Sequence, residues 1–102
     1  MNLKNRFVRS RAPKLFSQHN VPSPLVYYRV ESQDRIWLIT EVTHEDDEVR
    51  FFGYVASDLP EWRYFSLSDL EQADRRSELK VTEFKGIKVS KALTSGAQNI
   101  TV

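Results

Sequence analysis

Apolar and polar positions alternate with the period of a strand through the middle of the chain, and change to helical spacing near the N-terminus and around residue 70. "SPLVYYRVES" sets Val26, Tyr28 and Val30 on one strand face and Tyr27, Arg29 and Glu31 on the other. Pro22 and Pro24 ahead of it favour extended backbone. After the turn "SQDR", "IWLITEVT" alternates Ile36, Leu38, Thr40 and Val42 with Trp37, Ile39 and Glu41. Both of its faces are apolar at the start, which predicts a central strand. "HEDDE" predicts a second turn and "VRFFGYVA" a third strand.

From Pro60 a short fourth strand, "EWRYF", sets Trp62 and Tyr64 against Arg63 and Phe65. Ser68 with Glu71 three positions later has the spacing of a capping box, with Leu67 before it as a hydrophobic staple and Leu70 and Ala73 facing the core. "ELKVTEF" reads as a fifth strand with Leu79, Val81 and Phe84 inward, Gly86 as a turn, and "KVSKAL" as one last helical turn. At the other end, Leu3 and Phe7 form the narrow stripe of a short helix that Pro13 interrupts.

The expected architecture is α+β: a four- to five-stranded antiparallel meander, with an N-terminal helix and a second helix after the fourth strand, both on one face. Length predicts a single domain over 1–102, divided into a basic helix or arm (1–18), a sheet-and-helix core (25–93) and a flexible tail (94–102).

Composition sharpens this in two ways. The chain has no cysteine, which removes disulfides, thiolate nucleophiles and cysteine-bound metals. No apolar run approaches the roughly 20 residues of a membrane-spanning helix, and the start lacks the apolar stretch of a signal peptide, so a cytoplasmic protein with no membrane partner is expected. The net charge of +1 hides segregation: residues 1–30 carry +6, residues 31–74 carry −9 and residues 75–102 carry +4. Such a chain has either two faces of opposite sign or ends that neutralise the middle.

Trp37, Thr40–Glu41, Phe52–Gly53, Pro60–Glu61, Tyr64 and "SLSDL", Ser66 to Leu70, together resemble a family of small bacterial domains of unknown function found on conjugative plasmids, in phage and in other mobile elements. The resemblance covers about residues 25–93 and departs at Trp62–Arg63, where the family has a Leu-Gly pair. It implies this fold and a mobile-element origin, and it assigns no activity.

Catalytic chemistry finds little support. The histidines are His19, in a proline-flanked loop, and His44, in the acidic turn; there is no nucleophile elbow or glycine-rich phosphate loop. Glu41 and Glu61 would form an acid–base dyad only if they met across the sheet. The turn "HEDDE" lacks the alternating spacing of a calcium loop. No enzyme, cofactor or metal is therefore expected.

Binding remains. Glu45, Asp46, Asp47, Glu48, Asp58 and Glu61 make an acidic surface suited to a basic partner protein, with Trp62 and Arg63 as the anchors. The expected function is a non-enzymatic interaction protein of a mobile element, monomeric or weakly dimeric, acting on host defence. The alternative is a nucleic-acid-binding domain. It would use Lys4, Arg6, Arg9, Arg11 and Lys14 against phosphates, with Tyr27, Tyr28, Trp37, Phe51 and Phe52 for stacking. A pI near 8.0 and the acidic middle weigh against it.

Overall fold

Five strands and two helices follow one another in this computed structural model, which describes residues 3, 7, 12–15, 18, 23–45 and 48–98. The strands are β1 (Val26–Glu31), β2 (Ile36–Glu45), β3 (Glu48–Ala56), β4 (Glu61–Ser66) and β5 (Lys80–Ile87). Helix α1 (Leu67–Arg76) separates β4 from β5, and α2 (Val89–Gln98) follows β5.

All strand pairs are antiparallel, in the order β4-β3-β2-β1-β5. The first four strands form the expected meander, with β2 at the centre. The fifth does not extend it. β5 crosses the sheet by way of α1 and pairs with β1 at the far edge. Short turns enforce neighbouring strands, but a ten-residue helix carries the chain across the sheet's width.

Two bulges correct the expected strand faces. On β2, Ile39 pairs with Gly53 and Glu41 with Phe52, so two steps on β2 oppose one on β3. The extra residue, Thr40, donates from Oγ1 to the Phe52 carbonyl at 3.1 Å. Beyond it Val42 moves to the face of Trp37 and Ile39, rather than that of Ile36 and Leu38. On β5, four steps oppose two on β1, between the Val26–Ile87 and Tyr28–Glu83 pairs. Gly86 therefore lies inside β5, at φ +95°, and is not a turn after the strand. Val26 turns away from Tyr28 and Val30 to the opposite cluster.

The sheet thus has two packed faces. On one, Tyr28, Val30, Trp37, Ile39, Phe51, Val55 and Phe65 pack beneath Leu67 and Leu70 of α1. Leu3 and Phe7 join this cluster, with Phe7 edge-on to Tyr28 at 4.9 Å and to Phe51 at 4.8 Å. The helix expected around them lies otherwise outside the described residues. On the other face, Val26 and Leu38 pack beneath Ala92 of α2. The two helices therefore cover opposite faces.

α2 is longer than the one turn expected, taking in residues 94–98 of the expected tail. It is tied down by Arg29, buried to 5% exposure, whose Nη1 donates to the carbonyls of Ala92 (2.7 Å) and Leu93 (2.6 Å). The second guanidinium nitrogen lies 3.4 Å from Glu31.

The capping residue of α1 is Ser66, not Ser68. Its Oγ accepts from the Asp69 amide at 3.3 Å, and its own amide donates to Asp69 Oδ2 at 2.9 Å. "SLSDLE" fits the capping-box spacing twice, two residues apart. A start at Leu67 buries Leu67 and Leu70 on one helix face, and that packing selects the earlier cap.

Candidate interaction face

β3 and β4 form a hairpin whose registered pairs fix which side chains share a face. Phe52 opposes Tyr64 and Tyr54 opposes Trp62, all on the face that α2 covers farther along. Their rings form a continuous ladder: Phe52 and Trp62 stack at 5.8 Å, Phe52 and Tyr64 approach to 4.7 Å, and Tyr54 and Trp62 meet edge-on at 5.5 Å. α2 packs on β1 and β2. Trp62 and Tyr64 stay 41% and 52% exposed. Leu59, in the turn before β4, is 81% exposed. β4 also ends the sheet, so its outer side has no strand neighbour among the described residues.

Gly53, in the middle of β3, is what holds the hairpin against β2. A Cβ there would fall on the Leu38 carbonyl oxygen. Only glycine allows the strands this close beside the Thr40 bulge. The Phe-Gly pair singled out in the sequence thus joins a half-buried member of the aromatic ladder to a steric requirement.

The expected acidic residues do not form one patch. Glu45 and Glu48 close one end of the β2–β3 hairpin, with Asp46 and Asp47 between them outside the described residues. Asp58 and Glu61 lie at the other end of β3, roughly 27 Å away at about 3.4 Å per residue. The aromatic ladder runs between the two ends. Trp62 belongs to it; Glu61 and Arg63 occupy the opposite face of β4, paired at 3.6 Å. Arg50 pairs with Glu48 at 3.5 Å.

Of the basic N-terminal set, Lys4, Arg6, Arg9 and Arg11 lie outside the described residues, and Lys14 is exposed. The stacking set does not form a surface: Tyr28, Trp37 and Phe51 are buried in the core, and Tyr27 and Phe52 are partly buried. Sequence reading therefore missed Tyr54 and Tyr64 as members of the ladder, Tyr64 exposed and Tyr54 half-buried; the period-two spacing of Phe52 with Tyr54 and of Trp62 with Tyr64 was the available signal.

The Glu41–Glu61 dyad does not form. Glu41 registers with Phe52 and Glu61 with Val55, and these two β3 residues point to opposite faces. Glu41 is instead buried, accepting from the Gln18 amide at 2.6 Å. Gln18 in turn brackets the start of β1, donating to the carbonyls of Leu25 and Thr40 and accepting from the Leu25 amide. With the Pro13 carbonyl accepting from the Val42 amide and the Leu15 amide donating to Thr43 Oγ1, Pro13 and Leu15 lie beside β2 beyond the start of β1. Among the described residues no group of three or more His, Cys, Asp or Glu is placed to hold a metal ion, and no helix is long and apolar enough to cross a membrane.

A family model matches residues 2–99 of the chain, which takes in all five strands and both helices. The chain belongs to the DUF2958 family. Its members are described as proteins of unknown function. The DUF2958 match takes in the whole stretch on which the resemblance was read, and both helices with it. No curated protein and no solved structure matches the chain.

Proposed function

We propose that this protein is a non-enzymatic binding module that takes a cationic protein segment along β4, over the ladder of Phe52, Tyr54, Trp62 and Tyr64. The observation that carries the reading is the half-covered sheet face: α2 seals one half, while the other holds a ladder of four aromatic rings, two of them exposed, beside an open strand edge. Aromatic rings in a row supply large contact area at small entropic cost, and an open edge supplies backbone donors and acceptors for an extended chain.

Charge selects the class of partner. Residues 44–69 hold seven acids against Arg50 and Arg63, a net of −5, with acids at both ends of the ladder. That field attracts Lys- and Arg-bearing protein and repels a phosphate backbone. The mobile-element setting implied by the resemblance, and an action on a host defence protein with a basic surface, belong to this proposal as its narrower form.

The test is capture from bacterial lysate, with and without nuclease treatment, by the wild-type protein and by Trp62→Ala/Tyr64→Ala. A stoichiometric protein that is lost on the double variant, and released by raised salt, supports the reading. A partner retained by the double variant overturns it. So does recovery of nucleic acid alone before nuclease treatment, and so does self-association of this chain through β4 with no second protein.

A further inference from the structure

On the α1 face of the sheet, away from the aromatic ladder, a hollow of about 200 Å³ lies between the β1–β2 turn, β4 and α1. Three of the residues bounding it are arginines from three different elements: Arg35 from the turn, Arg63 from β4 and Arg76 from the last turn of α1. We propose that this hollow is an oxyanion site that takes the phosphate group of a small phosphomonoester.

Each arginine taken singly has a local explanation. Arg35 lies over the Trp37 ring at 5.8 Å, and a cation in the last turn of α1 suits the negative end of the helix dipole. Neither accounts for their convergence. Three arginines and one carboxylate line the hollow, which leaves it net positive and favours an anion there. No ion pair among the described residues involves Arg35 or Arg76. Arg63 pairs with Glu61 at 3.6 Å, with both side chains more than half exposed, a contact weak enough for a competing anion to displace.

The carboxylate belongs to Asp69, and its Oδ2 is engaged by the Ser66 amide in the capping box. Arg35 and Arg76 also border an adjoining hollow of about 240 Å³, where Ser32 and Ser77 contribute. Asp34 is there too, accepting from the Ser32 hydroxyl at 3.1 Å.

Size and charge set the ligand class. A hollow of about 200 Å³ holds a phosphate group and leaves the rest of its ester in the adjoining hollow or in solvent. The planar fork of guanidinium matches two phosphate oxygens at once, and a dianion offsets more of the clustered charge than a carboxylate does. The site is independent of the aromatic ladder and of the function proposed for it.

The experiment is an NMR titration of the intact protein with phenyl phosphate, with acetate and chloride at matched ionic strength as controls. Saturable shifts centred on the Trp37 indole and the side-chain Nε groups of Arg35 and Arg76 are expected, absent with either control. Arg35→Gln/Arg76→Gln should weaken phenyl phosphate at least tenfold, Arg35→Lys/Arg76→Lys by less, and Trp62→Ala should leave it unchanged. Non-saturating shifts equal to those of the controls would overturn the proposal. Unchanged affinity in the Gln pair would do so as well. Should that pair fail to fold, the wild-type shifts and the Lys pair decide: shifts away from Trp37, or a Lys pair binding as tightly as wild type, count against the site.

Discussion

The two halves of the α2-bearing sheet face are built from the same alternating strands and end differently. Over β1, β2 and β5 the upward side chains are mostly aliphatic, with Phe84 and the buried Arg29 among them, and they lie beneath α2, with Leu38 and Ala92 fully buried. Over β3 and β4 they are aromatic and lie against one another. Tyr54 belongs to both, packing on the α2 cluster and on Trp62. The aliphatic half needs a helix to exclude water, because Leu and Val protect little of each other's surface across a strand pair. Aromatic side chains shield one another sideways across strands, so the second half keeps order without a lid. Burial marks the first half as structure, and ordered exposure marks the second as a surface.

The sharpest way to break that contrast is inside the covered half. Leu38→Ala should cost about 4 kcal/mol, the cost of a cavity at a fully buried site, read as a lowered denaturant midpoint with an unchanged slope. A loss under 1 kcal/mol would mean that α2 does not seal this half in solution. At the seam between the halves, Gly53→Ala forces a methyl onto the Leu38 carbonyl and should cost about 3 kcal/mol. A variant as stable as wild type would show that β2 and β3 can part there freely.

Arg29→Ala removes the ties from the sheet to α2 and should cost about 2 kcal/mol, with faster amide exchange concentrated in 89–98. Uniform exchange changes across the sheet would contradict its role as a latch. Ser66→Ala should cost about 1 kcal/mol and Ser68→Ala a few tenths, which a pair of thermal melts distinguishes; equal losses would return the cap to the later serine. Trp62→Ala, in the bare half, should cost about 0.5 kcal/mol while abolishing partner capture. A large stability loss there would reclassify the ladder as core.

Much of the fold was legible because strand patterning is local. Val30, Trp37, Ile39 and Phe51 alternate with their neighbours, and β2's two apolar faces placed it at the centre. The faces of Val26 and Val42 were misread because a bulge shifts register without changing composition. The cap was misread because two serines share one spacing, and only the burial of Leu67 separates them. The candidate surface was half legible: Trp62 stood out, while the acids grouped with it are divided between the two ends of β3.

By itself, then, the sequence determined the class of fold, the first four strands and their order, and the two-sided apolarity of β2, since each depends on residues near one another along the chain. Tertiary structure alone decided that β5 returns to β1, that the helices cover opposite faces, and that Arg35, Arg63 and Arg76 meet around one hollow. Those outcomes depend on where the chain crosses the sheet. The crossing is set by the competition of distant apolar faces for burial, and no local spacing encodes it.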